Sequence, residues 1–397
     1  MQNAPLAIVL DGNQRSALAT VRSLGRRGIP VAVAEAEPRP LAASSKYCKT
    51  ALECPDPAQS PDAYVQWLHD LNVKNSGAVL MPMTDVTTPL VMRALPRLTQ
   101  LKTALPSLSA YETASDKFRL HELAQRVGVR VPATRLVSRS TASTVQPEDF
   151  RFPVVVKPRQ SAMRLESGTV KRGVSYAFSA SELKEIIDRS LLDESDELLL
   201  QEYVTGRGAG VFGLFAHGEP QFFFAHRRIR ERPPSGGVSV LSESVSLPEE
   251  GIEAAKRLLA PLNWHGVAMI EFKVDEQGRY WLIEINARLW GSLQLAVDSG
   301  ADFPWFLYQL ATAGKTSATQ HYAVGRKLRW WLGDLDSLYL GLRGRDSLAR
   351  KLRALAQFAL PWQPGLRYEF LRWSDPLPAL AALRQYTQAL LGQRKSI

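Results

Sequence analysis

The stretch GVAMIEFKVDEQGRYWLIEINAR, Gly266 to Arg288, sets two mainly apolar runs on either side of Asp275-Glu-Gln-Gly278. Asp and Gly are turn formers, so the two runs fold back on each other as an antiparallel β-hairpin. Side chains along a strand alternate between faces. Leu282, Glu284, Asn286 and Arg288 therefore share one face. Trp281, Ile283 and Ile285 share the other and should anchor the strand to the core. Pairing Asp275 with Tyr280 sets Glu271 directly opposite Glu284. A slip of one residue would send the two carboxylates to opposite faces.

Opposed carboxylates repel unless positive charge lies between them. Lys273 or Arg288 could supply it as a structural ion pair. A hard divalent cation such as Mg²⁺ fits better, because it takes carboxylate and amide oxygens and leaves room for phosphates. Arg288, just past those groups, would then grip a phosphate with its planar fork. Lys157 closes the apolar strand FPVVVK at an edge facing a cleft. Lys117 opens a helix against the helix dipole, where an anion would compensate it.

The first hundred residues alternate strand and helix. LAIVL (Leu6–Leu10), a helix over Ser16–Arg27, IPVAVAE (Ile29–Glu35) and AVLMPM (Ala78–Met83) follow one another. This rhythm predicts a parallel sheet with right-handed crossovers. Asp11, Gly12, Asn13, Thr84 and Asp85 fall at strand ends, where such sheets hold ligands. A capping-box-like Thr113-Ala-Ser-Asp116 opens the next helix. The region Asp196–Asn286 is strand-rich, with helices at Ser181–Ser190 and Glu249–Leu262, so it is α+β. Two motifs mislead. Gly208-Ala-Gly210-Val-Phe-Gly213 opens no helix, and Gly314-Lys315-Thr316 lacks the first glycine of a phosphate loop, since position 309 is Gln.

The chain has 397 residues, 45% hydrophobic and 22% charged, which suits two or three globular domains. No apolar run is long enough to span a bilayer, and the first residues lack the basic start of a signal peptide. Two cysteines are too few for a disulfide framework, so a cytoplasmic setting is expected. The net charge is +10, and Arg326–Ile397 holds 13 Lys/Arg against 5 Asp/Glu. No zinc-finger or RNA-binding signature accompanies it, so no nucleic-acid partner is expected. The basic tail, with Trp and Leu interleaved, suits packing on the core or a peripheral membrane or protein contact.

Taken in order, Lys117, Lys157 in VVVKP, Gln201-Glu-Tyr-Val204 and the hairpin Glu271, Glu284, Asn286, Arg288 resemble the ATP-grasp superfamily, in its carboxylate–amine ligase form. The resemblance covers roughly residues 5–315. It implies a parallel-sheet pre-ATP-grasp α/β domain over 1–110 and a two-lobed α+β ATP-grasp domain over 111–320. A mainly helical basic extension follows over 321–397. It implies ATP with Mg²⁺ or Mn²⁺ as cofactors, and small-molecule carboxylate and amine substrates. Lys117 and Lys157 would meet the nucleotide phosphates. Gln201, Glu202, Tyr203 and Val204 would hold the adenine, and Glu271, Glu284 and Asn286 the metal. Arg288, with Lys157, would be catalytic. Arg230, Arg232, Gly237 and Ser239, in HRRIRERPPSGGVSV, would meet the substrate. The activity implied is ADP-forming ligation through an acyl-phosphate. The alternatives are a biotin-carboxylase- or carbamoyl-phosphate-forming relative, or a non-catalytic ATP-binding scaffold. The loop after Lys157 is poor in glycine, and no acidic residue follows Gly206 to bind a ribose.

Overall fold

The computed structural model describes residues 4–160, 162–165, 168–171, 173–191, 196–234, 236–344, 347–360 and 363–394. Most of the loop after Lys157, with Gly168, and Ser235 of the Pro-Pro-Ser-Gly-Gly turn carry no described side chain.

The first unit has strands β1 (Ala7–Val9), β2 (Val31–Glu35), β3 (Thr50–Glu53) and β4 (Val79–Met81), with helices α1 (Arg15–Arg26), α2 (Pro61–Lys74) and α3 (Thr87–Ala94). All strands are parallel, in the order β3-β2-β1-β4. Alternation puts Ala7, Val9, Val31 and Val33 in one core, and Ile8, Leu10, Ala32 and Ala34 in another. Both faces are covered, which is why these strands read as unbroken apolar runs.

Helices α4 (Leu108–Ser115) and α5 (Lys117–Arg126) lead into a small sheet. Its strands are β5 (Thr134–Ser138), β6 (Val154–Pro158), β9 (Ser175–Ala177) and β10 (Glu197–Glu202), with a separate hairpin β7 (Ala162–Leu165) and β8 (Gly168–Lys171) and helix α6 (Ala180–Ser190). Asp116, not Thr113, is the cap of α5: its carboxylate accepts from Phe118 N at 3.0 Å and Arg119 N at 3.1 Å. The shift has a simple cause, since Thr113 already lies inside α4.

A seven-stranded sheet forms the remaining body. It comprises β11 (Arg207–Ala216), β12 (Glu219–Arg232), β13 (Val238–Ser244), β14 (Gly266–Val274), β15 (Tyr280–Asn286), β16 (Lys327–Arg329) and β17 (Leu366–Tyr368). The order is β15-β14-β11-β12-β13-β16-β17. Helices α7 (Glu249–Leu259), α8 (Leu293–Asp298) and α9 (Phe303–Ala313) cover it, and Gly314 closes α9 in the left-handed conformation at φ 67°. Phe212 and Phe224 of this sheet, and Trp290 just after β15, join the same core as Val9 and Leu18 of the first unit.

Three further helices complete the chain, α10 (Trp331–Arg343), α11 (Leu348–Ala359) and α12 (Leu377–Arg394). The basic extension is therefore helical but also supplies two strands to the main sheet. It is fastened to α1 through Arg22, whose buried guanidinium donates to Asp375 Oδ2 at 2.8 Å, Glu369 O at 2.8 Å and Phe370 O at 3.0 Å.

Candidate active site

The β14–β15 hairpin holds Glu271 opposite Glu284. The route to that register differs from expectation. Near the turn Val274, not Asp275, pairs with Tyr280, which alone would set Glu271 against Ile283. A β-bulge between Leu282 and Glu284 inserts Ile283 and restores the opposition. The bulge also changes the faces. Leu282 joins Ile285 and Ala287 in the core behind the strand, while Trp281 and Ile283 stay half-buried. Trp281 instead donates to Asp275 Oδ2 at 2.8 Å.

Asn286 Nδ2 donates to Glu271 Oε1 and to Glu284 Oε1, each at 3.1 Å. Arg288 continues the row, with Nη2 donating to Asn286 Oδ1 at 3.1 Å. It also forms a two-pronged pair with Asp85, at 2.9 Å from Nε and 2.8 Å from Nη2. Asp85 follows β4, so the first unit reaches directly into the hairpin site. Burial lowers the pKa of Arg288, but Asp85 and Glu284 outweigh it and hold the guanidinium above its ordinary value. Glu271 is raised, chiefly by burial and further by Glu284, with Arg228 pulling the other way.

Arg228 is the cation that sequence reasoning passed over. It pairs with Glu271, with Glu231 Oε1 at 2.9 Å, and donates to Gly237 O at 3.0 Å. It reaches Glu271 across β11 because position 208 is glycine. A Cβ there would stand 3.0 Å from Arg228 Cδ and 3.1 Å from Glu231 Oε1. Gly208, useless as part of a dinucleotide fingerprint, thus clears the way for this side chain, and Gly210 leaves room for the Phe212 and His226 rings. Its legible signal was the period of two shared with His226 on β12. His226 lies in one cross-strand row with Gly210, Glu271 and Glu284. It is buried, and neither ring nitrogen has a partner among the described residues. Burial and then Arg228 lower its pKa to about 3, so the ring is neutral.

Lys157 ends β6, is only 4% exposed, and is held near Glu284, Lys117 and Glu271. Burial lowers its pKa to about 8, with Glu284 opposing. Lys117 begins α5, and its backbone N–H donates to Arg159 O at 3.1 Å. Asp116, just before it, caps α5 and binds Arg159 Nε at 2.7 Å. A cavity of about 520 Å³ opens between Lys117 and the hairpin, lined by Asp85, Arg93, Lys117, Arg159, Glu284 and Asn286.

The other sequence candidates divide. Gln201 is buried, with Nε2 donating to Thr134 Oγ1 at 2.8 Å, and Glu202 N–H donates to Ala133 O at 2.9 Å. Tyr203 meets Tyr176 edge-on at 6.0 Å, and Val204 follows it out of the sheet. Arg230 does not face the carboxylate pair: it forms a two-pronged pair with Asp334 of α10 at 2.7 and 2.5 Å. Arg232 likewise pairs with Asp336 and lies over the Trp330 ring. Acids one turn into α10 capture both arginines, which their position beside Arg228 could not foretell. Ser239 is buried with its hydroxyl unpartnered among the described residues. At the strand ends, Asp11 accepts from Met83 N at 2.9 Å and Thr87 Oγ1 at 2.6 Å, which fixes the loop carrying Asp85. Among the described residues no group of three or more His, Cys, Asp or Glu forms a self-sufficient metal site.

A family model described as ATP-grasp in the biosynthetic pathway with Ter operon matches residues 194–331. The bifunctional enzyme MurC/Ddl of Chlamydia pneumoniae is 26% identical over 204 residues, 46% of this chain and 24% of that protein. The N-terminal section of the carbamoyl phosphate synthase large chain of Methanopyrus kandleri is 26% identical over 199 residues, 48% and 34% of the two chains. The chain thus spans about a third or less of the curated relatives it matches. Among solved structures, the L-amino acid ligase of Bacillus licheniformis superposes with a TM-score of 0.60 at 19% identity, over 79% of this chain and 75% of that one. N5-carboxyaminoimidazole synthetase of Staphylococcus aureus, complexed with ADP, superposes with a TM-score of 0.63 at 13% identity, over 82% of each chain. The chain thus shares the fold of these ATP-grasp proteins over about four-fifths of its length, and its segment 194–331, which contains the hairpin, matches an ATP-grasp family model.

Proposed function

We propose that the chain is an ATP-dependent ligase that activates a carboxylate as an acyl-phosphate and joins it to an amine, with release of ADP and phosphate. The observation that carries this reading is the opposition of Glu271 and Glu284, bridged by Asn286 and bracketed by Arg228, Arg288 and Lys157. The two carboxylates, joined by the Asn286 amide oxygen once that amide turns over from its hydrogen bonds to Glu271 and Glu284, give an all-oxygen donor set that fits Mg²⁺ or Mn²⁺ sharing its shell with phosphates. Glu271, Glu284 and Asn286 would hold that ion, which when bound neutralises phosphate charge.

Lys157 and Lys117 orient the phosphates of the nucleotide. The backbone of Gln201–Val204 and the Tyr203 ring receive the adenine. Arg288, held in place by Asp85, meets the transferring group with its fork, and its charge is most valuable where phosphoryl charge spreads in the transition state. Arg228 and the unpartnered Ser239 hydroxyl orient the carboxylate substrate beside it, with the Gly237 carbonyl fixing Arg228. Arg230 and Arg232 support this wall from behind through α10.

The test is a mass-spectrometric screen for dehydrative coupling and ADP release. Pooled carboxylates, bicarbonate included, are offered with pooled amines. Coupling that needs both pools supports the ligase reading. ADP release with bicarbonate alone would replace it with a carboxylating reading. Tight ATP binding with no turnover in any pool would leave a scaffold.

A further inference from the structure

Helix α11 carries its leucines on the wrong side for a soluble surface. Lys351, Ala354 and Phe358 face the body of the protein, where α11 packs against α10. Leu348, Leu352 and Leu355 recur at i, i+4 and i+7, and they are 72, 57 and 41% exposed. No residue of this helix is buried. A stripe at this spacing is the buried face of an ordinary surface helix. Here it is left exposed by the described residues.

Charge decides what covers it. The sequence LARKLRALAQFA contains Arg350, Lys351 and Arg353 and no acid. The neighbouring acids are already engaged: Asp334 with Arg230 and Arg329, Asp336 with Arg232, Glu369 with Arg15, Asp375 with Arg22. The excess of cations in Arg326–Ile397 is therefore not cancelled by the tail's described acids. A second copy of the chain would bring the same cations face to face across the stripe. An anionic lipid surface would accept the leucines and the cations together. Outward Leu, with Lys and Arg on the rest of the helix, is the composition of an interfacial helix lying in the plane of a membrane. No helix among the described residues is long and apolar enough to cross one.

We propose that α11 is a peripheral membrane-binding element that docks this protein on anionic lipid, independently of what the ligase site joins. Leu348, Leu352 and Leu355 enter the headgroup–acyl boundary, and the exposed Arg353 meets lipid phosphates.

The experiment is co-sedimentation of the full chain with phosphatidylcholine vesicles, with and without phosphatidylglycerol, across a salt series. The chain should sediment with the anionic vesicles, release as salt rises, and stay free of the neutral ones. Leu352→Glu with Leu355→Glu should cut binding at least about tenfold. Arg353→Glu should cut it about fivefold. All these positions lie at the surface, and retained nucleotide binding verifies that each variant is folded. Failure to bind anionic vesicles at low salt would overturn the proposal. So would a concentration-dependent dimer that the leucine variant abolishes, because a second copy would then be the occupant.

Discussion

Lys157 offers the most direct link between burial and function. Its ammonium sits at 4% exposure at the end of β6, and burial lowers its pKa from 10.5 to about 8. That net difference, with Glu284 already opposing burial, corresponds to roughly 3 kcal/mol of disfavoured charge. The sign follows from linkage. Between about 8 and 10.5 the unfolded chain keeps a proton that the folded chain has lost, so this group makes stability rise with pH across that window. Nucleotide binding should move the opposite way, because a phosphate needs the charged form. At about pH 7 roughly nine in ten Lys157 side chains are charged, and at about pH 9 roughly one in ten. ATP affinity, measured by calorimetry at fixed Mg²⁺, should therefore fall with a midpoint near 8 and approach about a tenfold loss per further pH unit. Lys157→Arg keeps its charge throughout and should flatten the profile. Lys157→Met should bind weakly at every pH. A wild-type affinity that is constant from about pH 7 to about pH 9.5 would refute the reasoning, whatever the stability curve does.

Further outcomes follow from the same geometry. Glu284→Gln removes one of two opposed carboxylates at constant size; turnover should fall by about a thousandfold with an unchanged melting curve, and near-normal kcat would remove the metal assignment. Gly208→Val should push Arg228 off Glu271 and lower kcat/KM at least about tenfold, because its Cβ alone would crowd Arg228 and Glu231; kinetics equal to wild type would show that the Arg228–Glu271 pair is dispensable. Arg230→Ala should cost about 3 kcal/mol in denaturant unfolding by stripping the buried Asp334 of one partner, with little change in KM; a large KM rise at unchanged stability would return Arg230 to the substrate site. Asp85→Asn should lower kcat more than KM, since it loosens Arg288 without touching the nucleotide lysines, and an isolated KM effect would count against that role.

Much of this site was legible in the chain, for reasons that differ residue by residue. The opposition of Glu271 and Glu284 is demanded by two acidic residues at matching depth in a hairpin. That inference survived although the register near the turn was off by one, because Ile283 bulges out. The bulge itself has no sequence signature, and so the faces of Leu282 and Ile283 were read the wrong way. Lys157 was visible as a lysine closing an apolar run. The alternation of strand and helix in the first hundred residues likewise carried over into an all-parallel sheet. Arg228 was hidden among four nearby arginines, and only the acids of α10, about a hundred residues later, show which of them are spoken for. The Arg288–Asp85 pair spans 203 positions and two folding units, and no local pattern encodes such a meeting.

The clasp of Arg22 on Asp375, Glu369 and Phe370 has a mechanical consequence. It ties the first helix to the last stretch of chain, and both rest on the core that already unites the parallel sheet with the large antiparallel one. These parts are packed as one block. The small sheet is different: Val154, Val156, Leu183, Leu198 and Leu200 form a core of their own. That lobe carries Lys157 and meets the remaining core through the stretches before Thr134 and after Glu202 and through the Arg159–Asp116 pair, so the proposed nucleotide site lies at a seam between two separately packed cores.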